Sequence, residues 1–487
     1  MKFEIVEPDP AALIESLRSF GYSLETAIAD LVDNSVTAGA SNIEIAFNWT
    51  GPDSWITVLD DGSGIEPERL NDVMRPGSTN PLDDRDPGDL GRFGLGLKTA
   101  SFSQARSLTV LTRKDPGPPA CRRWDLDHVG RTRQWQLLME PRPESEDRLG
   151  ALDDMPTGTL VLWENLDRVV DGDATDSDAR HFYESAAKVE QHLAAVFQRF
   201  LGKKLQIRLN GNSIQPWDPF CTTHDATQPL PEERLPFRSG SVLVRPFVLP
   251  HHSLFEDKRA HQDAGGIKGW NAQQGFYLYR GDRLILSGGW IIGGFKPEEH
   301  HKLARISIDI DQTMDADWAL DVRKSRARPP AGLIDDLIRI ARTTRSRASE
   351  VYRHRGTKLT RLGGPKVIEP TWKARKQGGA YHYTINRKHP LVVQAESDDV
   401  DRRTSVRALI DLLEGTLPVE RIAFDAYRDG ESIGNPESAT PSGDLLDAAR
   451  AFIDKLVSAG TSLADAKAAL LAVEPFSSYP DVVEAMG

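Results

Sequence analysis

The chain has 487 residues, is 39% hydrophobic and carries a net charge of −12, enough for roughly two to four domains with real cores. The acidic balance argues against nucleic-acid binding by the whole surface, while leaving room for a local basic patch. No apolar run approaches the length of a membrane span and the opening MKFEIVEPDP has no signal-peptide pattern, so a cytoplasmic protein is expected.

Residues 11–20 read as a short helix. In the stretch GYSLETAIADLVDNSVTAGA (21–40), Leu24, Ile28, Leu31, Val32 and Val36 recur at helical spacing between a start signal at Ser23 and a stop at Gly39. Asp30, Asp33 and Asn34 then share one flank of that helix, where a carboxylate can orient water and a neutral amide oxygen can ligate Mg²⁺. Read alone, such a cluster is more often a solvated face. Ile43, Ile45, Phe47 and Trp49 alternate along a strand, Gly51 to Asp53 turn the chain, and the next strand, SWITVLDDGSGI, ends on Asp60. A carboxylate at a strand end can accept an exocyclic amino group, and Gly62 and Gly64 let the backbone approach a planar ring; an ordinary Asp-Gly turn has the same pattern.

Residues 71–90 are polar and rich in Pro and Gly, and read as a long loop closing on GDLGRFGLGLKTAS. Gly91, Gly94 and Gly96 free backbone N–H groups to face phosphate oxygens, the helix starting near Leu97 turns its positive end to the same place, and Lys98 adds a full charge. No strand precedes the glycines and no Gly-Lys-Ser/Thr follows them, so neither the dinucleotide fold nor the P-loop fits. Strands are expected at 108–112, 124–126 and 135–138, and a last one begins at Gly158 and Thr159.

Beyond an acidic loop, a helix over about 178–201 and strands at 204–210, 242–249, 275–280, 283–287 and 304–310 predict a second α/β domain. The pairs His251–His252 and His300–His301 read as surface histidines, and Cys121 and Cys221 match neither a disulfide framework nor a zinc site. Arg323 and Lys324 stand on a loop before two prolines. From Arg339 to Lys376 there are twelve Lys or Arg against Glu350 and Glu369, which suits phosphate contacts or a solvated basic helix and linker. Residues 363–380 look like a linker, and the remainder, with helical patterns at 404–415 and 443–472, carries no chemistry that can be read.

Helix Asp30/Asn34, strand-end DDGSG, GRFGLGLK and Gly158-Thr159 occur in one order. This set resembles the GHKL ATPase superfamily of gyrase B, MutL, heat-shock chaperones, MORC proteins and sensor kinases, with the WENLD and QGFYLYRGDRLI segments looking MORC-like. The resemblance implies a Bergerat α/β sandwich at 1–170, an S5-like α/β transducer at 171–362, a linker at 363–380 and a small, mainly helical region at 381–487. It also implies that Asn34 ligates Mg²⁺, that Asp60 binds adenine with Gly62 and Gly64 shaping the pocket and Thr159 supporting the contact through water, and that Gly91, Gly94, Gly96, Leu97 and Lys98 wrap the phosphates. The general base falls on Asp30, one methylene shorter than the usual Glu, and Lys324, or its rival Arg323, would reach the γ-phosphate. The implied protein binds ATP with Mg²⁺, hydrolyses it slowly, forms a homodimer on ATP and acts on DNA through 339–376, a defence or restriction role being one setting; a chaperone-like or scaffold ATPase and a non-hydrolysing ATP sensor are the alternatives.

Overall fold

The computed structural model describes residues 4, 8–19, 21–77, 96–170, 175–238, 240–320, 327–353, 371–377, 380–396, 400–418, 442–476 and 479–486. The chain divides into two compact units, Met1–Lys358 and Leu359–Gly487.

The first unit opens with helices α1 (Pro10–Arg18) and α2 (Leu24–Thr37). Helix α2 stops where expected, because Gly39 takes φ +75°, a conformation that suits a residue without Cβ. Strands β1 (Asn42–Asn48), β2 (Trp55–Asp60), β3 (Ser107–Arg113), β4 (Ala120–Asp125), β5 (Gly158–Glu164), β6 (Gln206–Leu209) and β7 (Asn212–Ser213) form one sheet in the order β4-β3-β5-β2-β1-β6-β7. All its pairs are antiparallel except β1 with β6. Between the strands lie α3 (Pro67–Met74), α4 (Gly96–Phe102), α5 (Leu126–Thr132), α6 (Glu146–Leu149) and α7 (Asp176–Val196).

One sheet face carries Ile43, Ile45, Phe47, Ile56, Val58, Val110, Val161 and Trp163, packed in one core with Ile28, Leu31 and Val32 of α2, Phe102 of α4 and Phe182, Val189 and Leu193 of α7. Each such aliphatic or aromatic side chain contributes about 1.5–3 kcal/mol on burial. On the other face Leu160 and Leu162 meet Leu149, so β5 is buried along its whole length.

Two sequence expectations change here. The sheet does not end near residue 170: 206–209, expected in the second domain, pairs with β1, because the long crossover through α7 can deliver a parallel neighbour. Residues 135–138 form no strand, only a single bridge between Leu138 and Arg123, and Pro141 and Pro143 just beyond cannot donate to a ladder.

Strands β8 (Gln228–Pro229), β9 (Glu233–Phe237), β10 (Gly240–Val248), β11 (Gly275–Arg280), β12 (Arg283–Ser287) and β13 (Ala304–Ile310) make a second sheet, ordered β12-β11-β13-β10-β8 with β9 on β10. After α8 (Lys258–Gly265) and α9 (Gly269–Ala272), α10 (Ile334–Arg353) covers this sheet, burying Leu337, Ile340 and Ala341 against Val242, Val244, Ile306 and Ile308. No described helix of the chain is long and apolar enough to cross a membrane.

The second unit is mainly helical, with helices Pro390–Ala395, Val400–Gly415, Gly443–Ser458, Leu463–Leu471 and Pro480–Glu484. Its small core joins Ala449, Ile453, Ala466, Leu470, Phe476 and Val483. The expected linker is partly structured, since Trp372–Gln377 pairs antiparallel with Ala380–Ile385.

Candidate functional site

Side chains alternate along a strand, so Asp60 continues the inward row of Ile56 and Val58 and faces the helices. Thr159 of β5 stands opposite Asp60, and Thr112 of β3 stands opposite Thr159. Three polar side chains thus cross three neighbouring strands at one end of the sheet, on the face that α2 covers.

Asp60, 6% exposed, is held from several sides. Ser35 Oγ of α2 donates to its Oδ2 at 2.7 Å, and the Gly62 N–H donates to its Oδ1 at 2.9 Å. Burial raises its pKa above the ordinary carboxylate value, against the opposing pull of Ser35 and of the Gly62 and Thr159 backbones. The Thr159 backbone therefore serves Asp60, while its hydroxyl lies 3.0 Å from Thr112 Oγ1. Asp61 points elsewhere and accepts from the Ser41 and Asn42 N–H groups at 2.7 and 2.8 Å. Of the two carboxylates in DDGSG, one tethers the loop and the other faces the helix layer.

Both glycines have close neighbours. A Cβ on Gly62 would come within 2.9 Å of Ala38 Cβ and Asp60 Oδ1, and one on Gly64 within 2.0 Å of the Arg113 carbonyl oxygen. The Ile65 N–H next to them donates to Thr112 Oγ1 at 2.9 Å. Thr112→Val removes that acceptor from a buried position and is expected to destabilise the chain by about 1–3 kcal/mol in urea unfolding. An unchanged midpoint would show that the N–H finds another partner.

The other end of the site lies on the α2 flank. Asp30 is 4% exposed and Asp33 1%, whereas Asn34, one turn beyond Asp30, is exposed. The expected cluster therefore splits into two buried carboxylates and one accessible amide. Tyr22 Oη donates to Asp30 Oδ2 at 3.0 Å. Helix α4 begins beside it, since a Cβ on Gly96 would stand 3.5 Å from the same oxygen. Two segments more than sixty residues apart in sequence meet there, a carboxylate and the first turn of a helix. Ser35 and Asp30 are five residues apart, about 7.5 Å along the helix axis, so α2 links the Asp60 end of the site to the Gly96 end.

Leu97 follows in the same turn and is half-buried. Lys98 is buried, its Nζ donates to the Val73 carbonyl near the end of α3 at 2.8 Å, and burial lowers its pKa to about 8. Gly91 and Gly94, like Arg323 and Lys324, lie outside the described residues.

The reading of the sequence missed Ser35, Thr112, Tyr22 and Arg283. Thr112 carries a signal once strand register is known. Arg283, on β12, has Nε 2.6 Å from Asp33 Oδ1 and Nη2 3.9 Å from Asp30 Oδ1, and no local pattern announces a contact across 250 residues. Its charge, after burial, helps push the half-buried His192 of α7 down to about 4.

Elsewhere, three arginines of the basic stretch, all on α10, are paired. Arg339 reaches Glu233 and Asp336, Arg345 reaches Glu298, and Arg347 reaches Glu350. His300 and His301 gather with Glu298 closely enough to share a cation, but the Arg345 guanidinium already lies 3.2 Å from Glu298 Oε1 and 2.8 Å from His301 Nδ1.

Residues 22–159 match the family described as histidine kinase-, DNA gyrase B- and HSP90-like ATPase. The ATPase morc-1 of Caenorhabditis elegans is 32% identical over 90 residues, 18% of this chain and 10% of that protein. The DNA mismatch repair protein MutL of a Wolbachia strain is 29% identical over 119 residues (24% and 18%), and that of Halobacterium salinarum 33% over 107 residues (21% and 16%). The matches thus span less than a fifth of the length of these relatives.

Proposed function

Because residues 22–159 belong to the GHKL ATPase superfamily and have MORC and MutL relatives, we propose that this chain binds ATP with Mg²⁺ and hydrolyses it slowly. The observation that supports this most is a buried, hydrogen-bonded Asp60 held near the C-terminal end of α2 and, about a turn and a half back along the same helix, Asp30 beside the Gly96 turn.

In this reading Asp60 accepts the adenine amino group, with Ser35 and the Gly62 N–H fixing its orientation, and Gly62 and Gly64 shape the pocket by letting the loop pack closely on Ala38 and on the Arg113 carbonyl. The first turn of α4, with Gly96 and Leu97, offers backbone N–H groups to phosphate, joined by Gly91 and Gly94. The donor set fits magnesium: Asn34 is an exposed amide oxygen, a hard neutral ligand, beside the carboxylate of Asp30. Magnesium, when bound, supplies neutralisation of phosphate charge. Lys98 lies beside that turn, and Lys324 or Arg323 would act on the γ-phosphate.

Asp30 is the base that takes a proton from the attacking water, with Tyr22 holding one of its oxygens. Its short side chain makes a slow reaction the natural outcome. Asp30→Asn is expected to cut steady phosphate release by about 100-fold or more while leaving ATP binding within about threefold, as checked by coupled phosphate detection and equilibrium titration. Release that persists undiminished would remove Asp30 from the role; a wild-type chain that binds ATP and releases none would make it a sensor.

The wider reading is a clamp that dimerises on ATP and closes on DNA, suggested by the likeness to the DNA mismatch repair protein MutL and by the basic run at 339–376. It requires duplex affinity that rises with a non-hydrolysable ATP analogue and falls with salt, together with dimerisation in sedimentation. Independence from both analogue and salt would end it. A scaffold gripping protein clients is the second reading, favoured by the net charge of −12 and by the acids that occupy the α10 arginines. Suppressed client aggregation without DNA affinity would select it.

A further inference from the structure

Arg283 is 3% exposed and starts β12, the edge strand of the second sheet. Its guanidinium enters the first sheet's helix layer and lies between two buried carboxylates one turn apart on α2. Asp33 Oδ1 accepts from Nε at 2.6 Å, and Nη2 stands 3.9 Å from Asp30 Oδ1. The guanidinium is itself fixed, because Nη1 donates to the Leu284 carbonyl at 3.2 Å and Cζ lies 5.8 Å from the centre of the Phe197 ring, just past the end of α7.

Two buried carboxylates three residues apart on a helix repel each other, and low polarity around them strengthens the repulsion. A planar, permanently charged fork offsets both, and its several donors spread over a fixed angle. Asp30 is then bounded on two sides, with Tyr22 on Oδ2 and Arg283 facing Oδ1. A carboxylate that must meet water in one orientation gains from such fixing, because small misplacements cost rate steeply.

We propose that Arg283 is a positioning residue for ATP hydrolysis, carried by the second sheet and acting through Asp30, so that the base is correctly placed only when β12 is seated against α2. This rests on the reading of Asp30 as the base. Arg283 touches neither adenine nor phosphate in this account; it holds the group that handles the proton. The seating of the second sheet and the competence of the first therefore become one event, through a contact within the described residues that differs from the one expected of Lys324.

The test uses the full chain with ATP and magnesium and compares Arg283→Lys, Arg283→Gln, Asp30→Asn, Asp30→Asn with Arg283→Gln, and Asp33→Asn with Arg283→Gln. The last removes the guanidinium together with its nearest carboxylate, so that Asp33 is not left buried without its 2.6 Å partner if Arg283→Gln alone folds poorly. Three quantities are read: the dissociation constant of ATP, the turnover number, and the urea midpoint without nucleotide.

Arg283→Gln and the Asp33 double variant are expected to lower turnover by about tenfold or more with the dissociation constant held within about threefold, the signature of a group that acts after binding. Arg283→Lys recovers part of the loss. In the Asp30→Asn background, Arg283→Gln lowers turnover no further, because its effect passes through the residue already changed. Without nucleotide, the urea midpoints of the Asp30 and Arg283 variants combine non-additively.

Turnover losses that multiply in the Asp30→Asn background, a loss confined to ATP affinity, or additive urea midpoints would each overturn the inference while leaving the nucleotide site intact. So would a wild-type chain that binds ATP and releases no phosphate. A wild-type chain that binds no adenine nucleotide would instead overturn the proposed function, and this inference with it.

Discussion

Asp60→Asn is expected to weaken ATP binding by about 100-fold, near 2.7 kcal/mol, the scale of a buried hydrogen bond made by a charged group. The change preserves shape and alters only what the side chain can accept. Gly62 presents an N–H that cannot turn, so the amide oxygen must face it. The NH₂ then faces Ser35, whose hydroxyl can reverse and accept. The fold keeps its contacts at a cost of about 1 kcal/mol, while adenine meets a donor where it requires an acceptor. Equilibrium titration with ATP, alongside a thermal melt, separates the two effects; affinity within about threefold of wild type would remove Asp60 from the adenine role.

The same group sets a pH dependence. Burial raises the pKa of Asp60, so the acceptor is present above that raised value and is lost as pH falls through it. Affinity should therefore begin to fall at a higher pH than an ordinary carboxylate would dictate. Stability responds in the opposite sense, because the folded chain binds this proton more tightly than the unfolded chain. The contribution of Asp60 to folding becomes more favourable between its raised folded pKa and its ordinary unfolded one as pH falls.

Gly64→Ala is the substitution with the largest expected effect on stability. Gly64 has φ +66°, and an added Cβ would stand 2.0 Å from the Arg113 carbonyl oxygen and 2.7 Å from its carbon, both backbone atoms of β3. The left-handed conformation costs about 1–2 kcal/mol for a residue with a Cβ, and the overlap adds about 1–3 kcal/mol or more. A loss of about 3 kcal/mol or more in urea unfolding is therefore expected, with the Asp60 loop displaced and ATP affinity reduced. Gly39→Ala is the control: its φ is +75° but nothing lies within 4 Å of the added Cβ, so only the conformational cost of about 1–2 kcal/mol applies. Equal losses at the two positions would mean that the loop yields freely.

Helical spacing, Gly39 and strand alternation announce α2, β1 and β2, and the inward position of Asp60 follows from counting in twos from Ile56. Those are short-range properties, set by propensity and by the periods of helix and strand. The accessible amide of Asn34 and the buried carboxylate of Asp30 also share a flank by helical geometry alone, although which of them would be exposed was not legible, because burial depends on what packs against the helix.

Register and packing were the work of the folded chain. Ser35 on Asp60, Thr112 beside Thr159 and Gly96 beside Asp30 each join segments that local periodicity cannot relate, since pairing partners are chosen by side-chain fit across the whole sheet. The placement of 206–209 in the first sheet likewise depended on α7 crossing over it. Arg283 is the extreme case: as a sequence element it is an ordinary arginine at a strand start, and only the approach of a second sheet's edge to α2 makes it the partner of two buried aspartates. Chain-local physics thus sufficed for α2, β1 and β2 and for the identity of the chemical groups they carry, whereas long-range packing decided which of those groups are held, charged and aimed.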